Sequence, residues 1–315
     1  MLFGAVIGQH LPFEPQMQLN KVKVICIGSA LIDTIASSPR QIDWGDDVPG
    51  YITSNVGGVA FNICQQLALS QLKEVELLTA LGKDAKGRKI IKLCDELGII
   101  TKNVYKSNIV KTDSYVAIED VHGLKAAIAD VKNVELHSEN LLKPLVDGKV
   151  IKNITNFKNL IILDGNLSQD SLLKTANNKN YLDYDIRIVP ASPSKATRLK
   201  PFLKLPNVTI YCNKKEAEKL SDLKFENTLQ AATHLLRSGL GRAIVTDAHN
   251  NLSEASLSDK TITFQPPNVK RIYRATGAGD YFLACHIIND LKFADKKKAL
   301  KLAAKSAASY VRGEH

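Results

Sequence analysis

Arg274-Ala275-Thr276-Gly277-Ala278-Gly279-Asp280, followed by the apolar residues 281–288, is the stretch on which the fold turns. It reads as a glycine-rich turn opening a helix, with a carboxylate at the mouth. Gly277 and Gly279 let backbone amides approach an anion with no Cβ in the way. The helix behind them adds unpaired N–H groups and the positive end of its dipole. Asp280 stands where it could take a proton from an attacking hydroxyl. A plain helix start with an acidic first-turn residue accounts for the same residues equally well, so the rest of the chain has to decide.

Upstream of that turn, short apolar runs alternate with helical periodicity. Residues 21–28 (KVKVICIG) read as a buried strand ending at glycine. Residues 76–81, 160–164 (LIILD), 186–189 (IRIV), 209–212 (TIYC) and 243–246 (AIVT) read as further strands. Helical segments are expected at 60–72, 86–97 (stopped by Gly98), 168–176, 193–203, 214–220 and 228–238. This alternation predicts an α/β fold, a parallel sheet with helices on both faces. Residues 114–119 and 124–128 alternate about His122-Gly123, which predicts a β-hairpin. Hairpins around 45–55 and 112–129 break the α/β rhythm and predict a small β appendage. Residues 1–20 read as a flexible extension and residues 21–315 as one domain.

The chain has 315 residues and is 44% hydrophobic, enough for a large core. Its net charge is +10, yet the lysines are dispersed apart from Lys296-Lys297-Lys298. Aromatic residues make up only 6%, too few for stacking platforms, so nucleic acid is disfavoured as a partner. A basic balance equally suits a binder of anionic phosphates. Cys26, Cys64, Cys94, Cys212 and Cys285 show no zinc or CxxC spacing and read as free thiols of a reducing compartment. No apolar run reaches membrane-span length, and no Arg or Lys precedes Lys21 as a signal peptide would require. A cytoplasmic location without a membrane partner is expected.

Other polar residues fall at strand ends or helix starts. Gly57-Gly58-Val59-Ala60-Phe61-Asn62 opens a helix, with the Asn62 amide one turn in, suited to sugar hydroxyls or merely part of a helix start. Asp33 follows the first strand, where a carboxylate can hold two vicinal hydroxyls or cap the next segment. The G-x-G-x-x-G pattern is missing there, which disfavours a dinucleotide oxidoreductase. Asn213-Lys214-Lys215-Glu216 follows the strand TIYC. It could organise Mg²⁺ through waters near phosphates, or be a helix cap with Glu at its third position. Asp164-Gly165-Asn166 could contact a sugar or simply turn the chain. Several such sites on one sheet edge match the ligand edge of an open α/β sheet.

These residues together resemble the ribokinase-like, or PfkB, family of carbohydrate and nucleoside kinases, from about Lys21 to the C-terminus. Gly57-Gly58…Asn62 is similar to the family's first signature and Thr276-Gly277-Ala278-Gly279-Asp280 to its second. Asn213…Glu216 looks like its magnesium motif and Asp33 like its sugar-binding aspartate. The segments GGVAFNICQQLALS, LLTALGKDAKG and TDSYVAIEDVHGLKAAIAD look most like the pseudouridine kinases of that family.

The resemblance implies a three-layer α/β/α core with a small β-sheet lid. It implies transfer of the ATP γ-phosphoryl group to a 5′-hydroxyl, here of pseudouridine, with ribose, adenosine or a catalytically impaired binding protein as alternatives. Asp280 would be the base, and the amides of Gly277, Ala278 and Gly279 the anion hole. Asp33, Gly57, Gly58, Asn62, Tyr115, Asp130 and Asp164 would hold the acceptor. Asn213, Glu216, Thr246, Thr276, Gly277 and Gly279 would hold ATP, with Mg²⁺ water-mediated at Glu216 and Asn213. A monovalent cation such as K⁺ and a homodimer through the lid are left open.

Three departures accompany the resemblance. Ala275 stands where the family usually has Asp, and Val189-Pro190-Ala191-Ser192 lacks an Asp before its proline. The nucleotide loop is Thr246-Asp247-Ala248-His249-Asn250-Asn251, without the family's two glycines. Non-glycine residues are costly wherever φ must be positive, which puts the hold on ATP in question.

Overall fold

A computed structural model of the chain describes residues 19–70, 72–151, 157–274 and 276–314. Residues 1–18 of the expected extension lie outside the described residues, and so does Ala275. In chain order the strands are β1 (Val22–Ile27), β2 (Leu31–Ser37), β3 (Tyr51–Gly57), β4 (Glu74–Leu78), β5 (Ala80–Gly82), β6 (Tyr105–Ser107) and β7 (Ser114–Asp120). They continue as β8 (Gly123–Asp130), β9 (Lys158–Asp164), β10 (Asp185–Val189), β11 (Val208–Asn213), β12 (Arg242–Thr246), β13 (Leu252–Ser256) and β14 (Ile262–Phe264). The helices are α1 (Val59–Ala68), α2 (Ala85–Glu96), α3 (Lys132–Leu136), α4 (Ser138–Val146), α5 (Gln169–Ala176), α6 (Lys214–Ser221), α7 (Thr228–Arg237), α8 (Ala278–Lys292) and α9 (Lys296–Val311).

The main sheet has eight strands in the order β14-β13-β12-β11-β10-β9-β1-β4. It is parallel from β12 to β4, and β13 and β14 return antiparallel at one edge. Every residue of β1 is buried, as a strand covered on both faces requires. Its side chains alternate between two cores. Ile25 and Ile27 join Leu141, Leu172, Leu220 and Leu235 of α4, α5, α6 and α7. Val24 and Cys26 join Phe61, Ile90, Leu283 and Leu300 of α1, α2, α8 and α9. This is the α/β/α layering expected from the alternation.

A second, four-stranded sheet has the order β3-β2-β7-β8. The hairpin of β7 and β8 forms as expected. Around 45–55 the structure differs from the sequence reading, because β3 pairs antiparallel with β2 rather than within a local hairpin. The reading left β2 unassigned since its residues serve two environments. Leu31 and Ile32 enter the core, whereas Asp33 to Ser37 are only partly covered. Every residue of β8 is exposed, so this sheet is a projecting cover.

Smaller corrections have local causes. The strand expected at 76–81 divides at Thr79 into β4 and β5, and β5 pairs with β6 instead. The helix expected at 193–203 is a 3₁₀ segment, Ala196–Lys204, with Pro201 inside it. Proline lacks the N–H that an α-helix would use there. The strands β13 and β14 went unassigned because buried Ser253 and Glu254 interrupt the apolar pattern.

Candidate active site

The turn from β1 to β2 organises one wall of the site. Asp164, buried at the end of β9, accepts from Ser29 N at 2.7 Å and from Ser29 Oγ at 2.9 Å through Oδ2. Its Oδ1 accepts from Asn166 N at 2.8 Å. The Ser29 hydroxyl in turn accepts from Val59 N, at the start of α1, at 2.9 Å. Asp164 therefore spends its oxygens on holding the β1–β2 turn against α1.

The Gly57-Gly58 pair answers to that packing. A Cβ on Gly57 would lie 1.9 Å from Asp33 Oδ2, and one on Gly58 would lie 2.6 Å from the Ser29 carbonyl oxygen. Gly58 also has φ +97°. The absent side chains thus make room for the Asp33 carboxylate and for the turn behind it. Asp33 lies within β2, opposite Asn55 of β3 and Tyr115 of β7, and caps no helix. Burial pushes its carboxyl up to about 6.

Gly277 begins α8 with φ +81°, and Tyr281 N donates to its carbonyl at 2.9 Å. The first N–H groups of α8 have no acceptor within the helix. A Cβ on Gly279 would meet nothing within 4 Å, so this part of the turn faces open space. Asn62 Nδ2 donates to Asp280 Oδ2 at 2.9 Å, joining residues 218 apart in sequence. Burial pushes the half-buried Asp280 carboxyl up to about 7. The Asn62 bond opposes that rise, and the negative charges of Asp164, Asp33 and Glu216 add to it. A carboxylate that titrates near neutrality, held at a helix N-terminus, can take a proton from a hydroxyl while the adjacent amides receive an anion.

Asn213 and Glu216 form a capping box at the start of α6. Asn213 Oδ1 accepts from Glu216 N at 2.9 Å, and Glu216 Oε2 accepts from Asn213 N at 2.8 Å. The second Glu216 oxygen takes no hydrogen bond from the described residues, and burial pushes this carboxyl up to about 7. One buried carboxylate with a free oxygen fits Mg²⁺ that keeps its waters and takes phosphate oxygens. No group of three candidate metal ligands forms among the described residues. Thr246 ends β12 beside Asn213. In the loop that follows, Ala248 has φ +47°, the left-handed conformation that glycine adopts freely.

Not every expected residue joins this cluster. Tyr115 lies beside Asp33, and burial together with the Asp33 and Glu119 charges pushes its phenol up. Asp130 pairs with Ser114, next in sequence to Tyr115, so it falls on the opposite face of the sheet and is exposed there. Three residues that sequence reasoning missed do converge on the site. Tyr310 of α9 donates its hydroxyl to the Thr276 carbonyl at 3.0 Å. Thr276 Oγ1 donates to Glu119 of the projecting sheet at 3.4 Å. Lys195 Nζ donates to Asn166 Oδ1, and burial pulls its ammonium down. No local pattern marks these three, because each acts through a partner distant in sequence.

Comparison with known proteins bears on the family and the fold. Residues 21–314 match the model of the pfkB family carbohydrate kinases. The chain is similar to the pseudouridine kinase of Escherichia coli (strain K12), 26% identical over 269 residues, covering 84% of this chain and 82% of that protein. Among solved structures it is similar to ribokinase from Giardia lamblia, with TM-score 0.78, 18% identity, and 92% and 94% of the two chains covered. It is also similar to Arabidopsis thaliana ribokinase complexed with ribose and ATP, with TM-score 0.70, 16% identity, and 92% of each chain covered. No helix among the described residues is long and apolar enough to cross a membrane.

Proposed function

The chain belongs to the pfkB family of carbohydrate kinases, phosphotransferases with alcohol acceptors, and from that premise we propose that it transfers the γ-phosphoryl group of ATP to the 5′-hydroxyl of pseudouridine. The observation that carries this reading is the Asn62–Asp280 bond, which ties the two glycine-rich turns into one acceptor site. Asp280 takes the proton of the attacking hydroxyl, a role typically worth ~10²–10⁴ in rate. The amides of Gly277, Ala278 and Gly279 receive the charge of the phosphoryl group in flight. Asp33 and Asn62 hold the sugar, and the projecting sheet covers it, which keeps water from competing with the acceptor.

Mg²⁺ held through waters at Glu216 and Asn213 would neutralise phosphate charge. The choice of pseudouridine among family substrates is supported by the similarity to the Escherichia coli enzyme. Ile52, Val116, Ile118 and Ile128 share one face of the projecting sheet and are exposed, and a homodimer through that face is part of the proposal.

The test is incubation of the purified protein with ATP, Mg²⁺ and a panel of pseudouridine, uridine, adenosine and ribose, followed by identification of the phosphorylated product. Pseudouridine 5′-phosphate as the fastest product is expected. Faster turnover of adenosine or ribose would reassign the substrate within the family. A second reading, a binding protein with impaired turnover, is favoured by Ala248 in its left-handed conformation. Nucleoside binding without ATP binding in calorimetry would select it.

A further inference from the structure

Lysines and arginines that lie apart in the sequence gather where α2 packs against β5 and β6. A cavity of about 490 Å³ there is lined by Leu81, Ile91, Lys83, Arg88, Lys92 and Lys106. Asp95 is the one acid in that lining among the described residues. The register of the two strands sets Lys106 opposite Leu81, so both side chains leave the same face. Lys83 follows β5, and its N–H donates to the Ser107 carbonyl at 3.2 Å. A Cβ on Gly87 would lie 2.4 Å from the Gly82 carbonyl oxygen, so this glycine lets α2 sit directly on the strand end. Residues 88, 91, 92 and 95 then fall on one stripe of the helix.

The cations of this groove break two local rules. A helix start is the positive end of the dipole and favours acids. Yet α2 has no acid in its first turn and carries Lys86, Arg88 and Lys89 near its start. Its cap, Asp84, spends its carboxylate on Gly87 N, Thr112 N and Thr112 Oγ1. Arg88 and Lys92 also repeat the same charge four residues apart, which is unfavourable.

Two of these cations have structural work. Lys86 Nζ donates to Ser114 Oγ at 2.6 Å, and Lys89 Nζ to the Ser54 carbonyl at 3.1 Å. Lys92 stands 3.8 Å from Glu96, with both side chains largely exposed. The side chains of Lys83, Arg88 and Lys106 make no hydrogen bond or ion pair with the described residues. Broken local rules without a compensating contact point to a function.

We propose that this groove binds a phosphorylated small molecule of mononucleotide size, at a site apart from the phosphoryl-transfer turn. Arg88 and the three lysines take the phosphate, to which cations of both kinds are suited. Leu81 and Ile91 give the base an apolar floor, and the volume falls in the small-molecule range rather than that of a free phosphate. None of these residues belongs to the candidate active site, so the site does not rest on the kinase reading.

Lysine acetylation of the full chain, read residue by residue by mass spectrometry, tests this with uridine 5′-monophosphate as the probe. At saturation the probe is expected to slow acetylation of Lys83 and Lys106 about fivefold or more and to leave the exposed Lys297 unchanged. Uridine, without the phosphate, should protect neither. Arg88→Glu should melt as wild type does without ligand and lose the protection, and Lys106→Glu should lose it at Lys83.

No protection of Lys83 and Lys106 overturns the proposal, as does protection that survives Arg88→Glu and Lys106→Glu. Equal protection by inorganic phosphate overturns the mononucleotide assignment. Protein that phosphorylates no acceptor but shows the protection keeps this site and loses the kinase reading. Active protein without protection does the reverse.

Discussion

Among the turns that place a residue in the left-handed region, the chain treats two near the candidate site differently. At the start of α8 the residue is Gly277, with φ +81°. In the loop after β12 it is Ala248, with φ +47°. A Cβ in that conformation crowds the following carbonyl, at a cost of roughly 1–2 kcal/mol. The first turn has no such cost and carries the proposed base Asp280, the open helix end and the bond to Asn62. The second holds itself together with its own side chains. Asn250 N donates to the Asp247 carbonyl at 2.8 Å, and Asn250 Nδ2 donates to Asp247 Oδ2 at 3.0 Å. Under the proposed function, glycine is kept at the first turn because its backbone amides must meet a charge that develops during reaction. Where a loop needs only a stable shape, side-chain hydrogen bonds can stand in for glycine.

The largest effect should come from the catalytic turn. Asp280→Asn is expected to reduce kcat by about 10³-fold or more, since it removes the base and leaves the helix end intact. The same variant should melt higher than wild type at neutral pH without ligands. The folded-state carboxyl titrates at about 7, above its unfolded value, so the folded protein prefers the neutral form. Stability from this group is therefore present at low pH and is lost as pH rises through about 7. A melting point that falls on this substitution would contradict the assigned burial.

Next in size is Gly57→Ala. Its Cβ would collide with the Asp33 carboxylate, so acceptor KM should rise about 10- to 100-fold while ATP KM moves little. Equal damage to both KM values would mean that the two halves of the cleft are not separable.

A pH profile gives the third test. Asp280 must be ionised to accept a proton, so kcat/KM for the acceptor should fall about tenfold per unit below an apparent pKa near 7. A profile flat from pH 5 to 8 would remove Asp280 as the base.

The smallest expected effect probes the other turn. Ala248→Gly relieves the left-handed alanine and should lower ATP KM by about two- to fivefold with kcat unchanged. Should ATP KM rise instead, the alanine serves the loop, and the contrast between the two turns loses its meaning.

Much of this was legible beforehand, because its signals are local. Buried parallel strands appear as short β-branched runs such as VKVICI, and their alternation with amphipathic helices specifies the layers. Asp280, Asn62 and Asn213…Glu216 could be picked out from glycine spacing and capping patterns. The segment β2 was not legible, since half of it is core and half is cover. Nor was the role of Asp164, whose short polar side chain reads alike as ligand or as brace. Only its bonds to Ser29 and Asn166 distinguish the two.

By itself, then, the amino-acid sequence determined the α/β class, the run of buried parallel strands from Val22 to β12 and the glycine-rich turn before Asp280. Each of these depends on residues close together in the chain, whose periodicity and backbone freedom act locally. Only the tertiary structure decided that Asn62 meets Asp280, that Gly57 makes room for Asp33, that Asp130 faces away, and that Tyr310 stands behind the turn. Those relations join residues tens to hundreds of positions apart. They are set by how sheet, cover and C-terminal helix pack, which no local spacing encodes.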